Sequence, residues 1–335
     1  MMDKLSVFSL IKHDLDCVKK TLETVLLKRE NHDSSPIIRH LLSSQGKLLR
    51  PTLVFLSTYL VMPHLDKEAH HKLVLCATAI ELIHMASLVH DDVIDDAELR
   101  RDSESVKSKF GNPVAVTIGV YLYSVALQLI AEVGSVRILN ELSMTVQKMC
   151  EGELLQYSYR DKQQFDLRSY YSVLESKTAV LFKMACLVGA YLFDFSQEQQ
   201  DALACYAIEL GYSFQLSDDY LDMFGSSNDL KKSIGQDFIQ GQFTLPMILT
   251  LEKVTKAEKE HIIQGFRNKD LASFNLLRDK AFAYSIHDDL ASLINQKIDQ
   301  SKQSLALFND SVYKNSLFFI ADYVLSRVRS EEAVV

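Results

Sequence analysis

The chain has 335 residues, 47% hydrophobic and 9% aromatic, with 36 basic against 44 acidic side chains and a formal charge of −8. That length suits one large domain or two average ones with a substantial core, and the acidic balance gives no general affinity for nucleic acid. Only 11 Gly and 5 Pro punctuate the chain, which favours long helices over a strand-rich fold with frequent tight turns.

Residues 1–30 read as an amphipathic helix, with Leu5, Phe8, Ile11, Leu15 and Val18 at helical spacing. The polar segment Glu30 to Ser35 is expected to be a loop closed by Pro36. Apolar periodicity resumes from His40 to Met62, interrupted between Gly46 and Pro51. A long helix is expected from about Asp66 to Asp96, followed by a basic and polar loop from Arg100 to Pro113. Further helical patterns cover 114–133, 136–159, 167–190 and 197–223. Gly225 to Gly241 is polar and reads as a mobile loop. From Thr244 onward, apolar helices alternate with charged connections. One all-α domain spanning 1–335 is the economical reading.

The most apolar stretch, Gly119 to Ala131, is shorter than a membrane span, ends at Glu132 and reads as a core helix. Five cysteines (Cys17, Cys76, Cys150, Cys186 and Cys205) show no C-x-x-C spacing. Asp3, His13, Asp14 and Asp16 interrupt any basic-then-apolar leader pattern. Structural thiols in a reducing, cytoplasmic setting are expected.

Two acidic pentads stand out: Asp91-Asp92-Val93-Ile94-Asp95 and Asp218-Asp219-Tyr220-Leu221-Asp222. Residues three and four apart share a helix face, so each pentad places three carboxylates together. On a half-buried face such carboxylates repel and are costly to desolvate unless a cation compensates. All-oxygen ligation suits a hard cation such as Mg2+. Two such clusters facing each other would hold several ions around a polyphosphate. Basic residues complete the pattern, because Arg and Lys hold phosphate oxygens that metals leave free. Lys47, Arg50, Arg100, Arg101 and Lys177 are available for that. The combination suits heterolysis of an allylic C–O bond, with apolar walls keeping water from the carbocation.

Individually these residues have plainer readings. Lys47 and Arg50 could be a helix-entry charge pair, His84 a satisfied core histidine, and Lys177-Thr178 an ordinary helix pair. His90 reads as structural support. Their joint occurrence gives the pattern its meaning.

The motifs Gly46-Lys47-x-x-Arg50-Pro51, Glu81 to Arg101, Gly152-Glu153-x-x-Gln156, Lys177-Thr178, Phe214 to Asp222 and Gly241-x-x-Thr244-Leu245-Pro246 resemble those of trans-prenyltransferases (polyprenyl diphosphate synthases). The resemblance spans nearly the whole chain and is strongest to the large catalytic component of bacterial heptaprenyl diphosphate synthases. It implies the isoprenoid-synthase helical bundle with a central cavity. It also implies Mg2+ held by Asp91, Asp92, Asp95, Asp218, Asp219 and Asp222. Arg100, Lys177, Thr178, Gln215 and Lys232 would contact the allylic diphosphate. Lys47, Arg50, His84 and Arg101 would bind isopentenyl diphosphate. The released diphosphate generally serves as the base in this family, so no protein base is sought.

Residues one turn before Asp91 floor the pocket, because helical side chains lean toward the N-terminus. Ala86 and Ser87 are small there and leave a tunnel past Ile83 and Ile80, which with the resemblance implies a long all-trans product of about C30 to C40. The chain departs from the family pattern at Leu48, Asp102, Val120 and Gln242. A shorter-chain farnesyl or geranylgeranyl synthase and a non-catalytic subunit of a prenyl synthase complex stay open as alternatives. A terpene cyclase fits less well, its second metal motif being of another type. The resemblance further implies a dimer with an identical chain or a small regulatory subunit, a role in menaquinone side-chain synthesis, and at most transient membrane-surface contact.

Overall fold

The computed structural model describes residues 7, 9–27, 35–43, 46–100, 103–162, 166–225 and 234–332. Leu5, Phe8, most of the polar segment after Glu30, Arg101, Asp102, Lys232 and residues 226–233 of the expected mobile loop lie outside them. The regular elements are helices, with one two-residue antiparallel hairpin. In chain order they are α1 (Lys12–Leu27), α2 (Ser35–Ser43), α3 (Leu49–Tyr59), α4 (Lys67–Ile94), β1 (Leu99–Arg100), β2 (Ser103–Glu104), α5 (Val106–Phe110), α6 (Asn112–Val133), α7 (Val136–Lys162) and α8 (Leu167–Leu174). A π-helical turn, Glu175–Ala179, leads into α9 (Val180–Leu192). Then come α10 (Gln197–Phe224), α11 (Gln236–Gln240), α12 (Leu245–Lys253), α13 (Lys256–Arg267), α14 (Leu271–Ala283), α15 (Ile286–Ser304) and α16 (Val312–Glu332).

The chain divides into two compact units. The first comprises residues 1–146, 181–204 and 306–319; the second comprises 147–180, 205–305 and 320–335.

In the first unit α4 is the central element. Its start is fixed by Asp66, whose carboxylate accepts the Ala69 N–H at 2.8 Å. From Leu73 to Ile83 every residue is buried, as expected of a helix apolar around its whole girth. It packs against α1, α3 and most extensively α6. His90 and Gly119 explain the close approach of α4 and α6. The imidazole Nε2 lies 3.2 Å from the Val116 carbonyl oxygen, and a Cβ at 119 would fall 2.1 Å from that nitrogen. α4 ends where Asp96 turns left-handed (φ 54) and the Ala97 N–H reaches the Asp92 carbonyl at 2.9 Å, the six-to-one bond of a Schellman-type stop.

Four expectations need correction. The expected loop Gly225 to Gly241 contains the short helix α11. The stretch Arg100 to Pro113 is not simply a loop: it contains β2 and the short helix α5. Ser105 caps that helix, accepting the Ser108 N–H at 3.0 Å. The helix expected over 167–190 is interrupted by the π turn, which inserts one residue without disturbing the apolar pattern around it. The apolar stretch Gly119–Ala131 belongs to the longer α6. Among the described residues, α4 and α6 are each long and apolar enough to cross a membrane, with 72% and 44% of their apolar windows buried in the protein.

Candidate active site

The first aspartate cluster occupies the C-terminal end of α4, and the second the last two turns of α10. Both therefore lie where a helix presents unsatisfied carbonyls and partial negative charge, which favours cations.

In the first unit, Asp92 is 3% exposed. Burying a carboxylate there requires compensation, and Arg100 supplies it. Its Nε and Nη2 donate to Asp92 Oδ1 at 2.9 and 2.5 Å. The hairpin that carries Arg100 follows directly from the stop at the end of α4. Asp91 and Asp95 are half-buried. Asp92, Arg100, His84 and Glu81 line one cleft with Gly46 and His40. His40 is held there by the Glu104 carbonyl oxygen, 2.8 Å from its Nε2. The structure thus brings His84 together with the first cluster. Lys47 is exposed beside Gly46, and Arg50 lies in the first turn of α3 with its guanidinium 4.9 Å from the Phe182 ring centre. Leu48 between them is left-handed (φ 52) yet buried, a conformation costing a non-glycine residue roughly 1 kcal/mol or more. Of the proposed chain-length pair, Ala86 is fully buried, and Ser87 is half-buried with its hydroxyl on the His84 carbonyl at 2.9 Å.

In the second unit one chain of hydrogen bonds joins Thr178, Gln215 and Asp219, and the other expected residues have partners of their own. Thr178 Oγ1 donates to Gln215 Oε1 at 3.3 Å, and Gln215 Nε2 donates to Asp219 Oδ1 at 3.0 Å. Asp219 Oδ2 accepts the Tyr170 hydroxyl at 2.7 Å and the Leu245 N–H at 3.2 Å. Burial pushes the Asp219 carboxyl up to about 6, against the lowering effect of those donors. Burial first, then the Asp219 charge, raises the Tyr170 phenol well above its ordinary value, so it remains a donor. Asp222 accepts the Gln236 and Asp237 N–H groups at 3.0 and 3.2 Å, tying the start of α11 to the cluster. Asp218 is held by Arg327 at 2.5 Å.

Lys177 sits in the π turn. Its Nζ lies 2.5 Å from Glu153 Oε2 and donates to Gln156 Oε1 at 2.9 Å. Glu153 and Gln156, three apart on α7, present one face to it. Gly152 permits the approach, because a Cβ there would come within 2.9 Å of both the Lys177 nitrogen and Ser176 Cβ.

Tyr170, Arg327 and the Glu153–Gln156 pair escaped sequence reasoning as partners. The motif Gly152-Glu153-x-x-Gln156 was visible without a role. Tyr170 and Arg327 carry no local signal, since their partners lie 49 and 109 residues away.

The donors of both clusters are carboxylate oxygens, the chemistry of a hard divalent ion. Among the described residues, no three His, Cys, Asp or Glu side chains already form a metal-holding group. Mg2+ is commonly bound by one or two carboxylates plus substrate phosphates and water, so the donor set fits an ion whose shell a phosphate completes. Cys76 and Cys186 are buried and have a structural character, burial pushing both up to about 12, whereas Cys150 and Cys205 are exposed.

The family profile of polyprenyl synthetases matches residues 33–279. The heptaprenyl diphosphate synthase component 2 of Geobacillus stearothermophilus is 37% identical over 73% of this chain and 75% of that protein. The geranylgeranyl pyrophosphate synthase of Geoglobus acetivorans is 29% identical over 96% of this chain and 99% of its own. Among solved structures, a Caulobacter crescentus polyprenyl synthase complexed with calcium and isoprenyl diphosphate superposes with a TM-score of 0.86, at 29% identity and 96% coverage of each chain. A helical fold, two aspartate clusters at helix ends and these matches lead to one assignment: the chain belongs to the polyprenyl synthetase family and is a prenyl-transferring enzyme of the all-α isoprenoid-synthase fold.

Proposed function

We propose that the protein condenses isopentenyl diphosphate with an allylic diphosphate such as farnesyl diphosphate, making a long all-trans polyprenyl diphosphate. The observation that carries this reading is the second-unit chain of hydrogen bonds from Thr178 through Gln215 to the buried Asp219, with Lys177 held separately by Glu153 and Gln156. Neutral donors oriented on a carboxylate, and an ammonium fixed in the same unit, are the groups a metal-bound diphosphate requires.

The allylic C–O bond breaks with its electron pair leaving on the diphosphate. The isopentenyl double bond then attacks the allylic carbon to form the new C–C bond. A proton leaves the adjacent carbon, restoring an allylic alkene, and the released diphosphate accepts it. Mg2+, when bound by the aspartates, supplies positive charge that stabilises the departing diphosphate. Asp91, Asp92 and Asp95, and Asp218, Asp219 and Asp222, are its ligands in this reading. Lys177, Thr178 and Gln215 hold the allylic diphosphate, with Glu153 and Gln156 aiming the ammonium. His84, on the cleft of the first unit with Lys47 and Arg50 nearby, takes isopentenyl diphosphate. Apolar side chains around the developing cation would keep water out. The catalytic domain is taken to be the whole chain, since the family match runs through segments of both units.

For product length, the small Ala86 and Ser87 and the likeness to a heptaprenyl component 2 favour a heptaprenyl-class product. That component name also favours assembly with a small partner over an identical chain. The near full-length match to a geranylgeranyl synthase supports a shorter product as the second reading. The test is Mg2+-dependent incorporation of labelled isopentenyl diphosphate with farnesyl diphosphate, with and without a candidate small subunit, followed by chain-length analysis. Elongation to heptaprenyl length supports the first reading and arrest at geranylgeranyl the second. No incorporation in either arm contradicts both.

A further inference from the structure

Arg327 lies on α16, beyond the residues that match the family profile. Its Nη2 donates to Asp218 Oδ1 at 2.5 Å, its Nη1 donates to Ser217 Oγ at 3.1 Å, and its guanidinium carbon is 5.3 Å from the Phe214 ring centre. Three contacts on one turn of α10 therefore fix the planar head. The flanking Val324, Leu325 and Val328 are buried, which anchors the backbone from which it reaches.

We infer that Arg327 is the resident counter-cation of the second aspartate cluster, neutralising Asp218 in the metal-free protein and yielding Asp218 Oδ1 when a divalent ion binds. The inference rests on the reading of Asp218, Asp219 and Asp222 as metal ligands.

As a plain structural staple the pair would be weak. The Asp218 side chain is 40% exposed, and ion pairs that wet contribute little to folding. Its electrostatic role is larger. Asp219 receives hydroxyl, amide and backbone N–H donors, which orient the carboxylate without cancelling its charge. Arg327 brings a full positive charge to Asp218. A guanidinium cannot shed its proton in a protein, so a metal ion can take that oxygen only if the side chain moves aside or shares it. Ser217 Oγ and the Phe214 face are positions it can keep while doing so. Arg100 shows the same device in the first unit, with two of its nitrogens on Asp92 Oδ1. Arg327 thus makes Asp218 a conditional ligand, weakly available to a bare ion and fully available once a diphosphate adds negative charge and attracts the guanidinium.

The test is Mn2+ binding to the full-length, substrate-free protein, followed by water-proton relaxation, for the wild type, Arg327→Gln, Asp218→Asn and the double variant. Removing a unit charge a few ångströms from a divalent ion is expected to tighten binding on the order of tenfold in Arg327→Gln. Asp218→Asn should weaken binding, and Arg327→Gln should gain less in the Asp218→Asn background than it gains in the wild type. Unchanged or weakened Mn2+ affinity in Arg327→Gln overturns the inference. If Asp218→Asn leaves affinity untouched as well, the metal-ligand reading itself fails. Should Arg327→Gln not fold, as judged by circular dichroism, Arg327→Lys replaces it: a point charge without the fork is expected to tighten binding severalfold, and no change counts against the inference.

Discussion

A carboxylate as inaccessible as Asp219, 2% exposed, persists only because donors reach both of its oxygens, and the phenol of Tyr170 is the shortest of them at 2.7 Å. Removing that hydroxyl leaves a buried acceptor short of a partner, which costs about 1–3 kcal/mol. Tyr170→Phe should therefore lower unfolding free energy by that amount in urea titrations, while Asp219→Asn/Tyr170→Phe should lose less than the two single changes together. Additive losses would mean that the two groups are not coupled. At this scale the grouping of the aspartates was readable from their spacing, because helix periodicity decides which residues share a face, whereas Lys177, Thr178 and Gln215 were indicated by the family resemblance. Arg327 and Tyr170 were not, because only tertiary packing brings them to the cluster.

Elements position these residues through a few local devices. The π turn offsets Lys177, and Gly152 leaves room for it. An alanine there would press on backbone, not on a flexible tip. Gly152→Ala is expected to cost about 1–3 kcal/mol by overpacking, and to reduce kcat/KM by about tenfold or more through misplacement of the ammonium. Full activity with unchanged stability would show that the turn has no positioning role. A second device lies away from the site. Thr255 and Glu258 form a capping box at the start of α13, and Glu258 also pairs with Lys280 at 2.5 Å. The Lys280 and Thr255 hydrogen bonds lower the Glu258 carboxyl from 4.5 to about 2. A depressed folded-state value means stabilisation that is present above about 4.5 and lost as pH falls toward 2. Glu258→Gln should therefore be less stable than the wild type at pH 7, with the gap in denaturation midpoint closing across that window. A gap independent of pH would assign the effect to something other than this charge. The capping residues Asp66 and Thr255 sit at helix starts of ordinary composition, whereas the π turn leaves no trace in an apolar pattern that tolerates one inserted residue.

At the scale of the molecule, long apolar helices such as α4 and α6 form the core of the first unit. The abundance of such helices was legible from the scarcity of Gly and Pro. The short helices α5 and α11 were hidden inside polar segments, because five residues cannot display a period. Product length belongs to this scale too. Ser87 is half-buried, whereas Ala86 is fully buried, so a large ring is better accommodated at 87. Ser87→Phe should shift the product distribution toward shorter chains without loss of total isopentenyl incorporation. An unchanged distribution would remove that residue from the control of length.

The most direct test of the whole account is the Mg2+-dependent rate at which labelled isopentenyl diphosphate enters extractable polyprenyl diphosphate, for the wild type and for Asp219→Asn. A candidate small partner is supplied in both arms, and folding is checked by circular dichroism. The account expects a wild-type rate that vanishes on chelation and a variant slowed on the order of a hundredfold or more, as befits loss of a group stabilising transition-state charge. A folded Asp219→Asn protein that keeps the wild-type rate would contradict it.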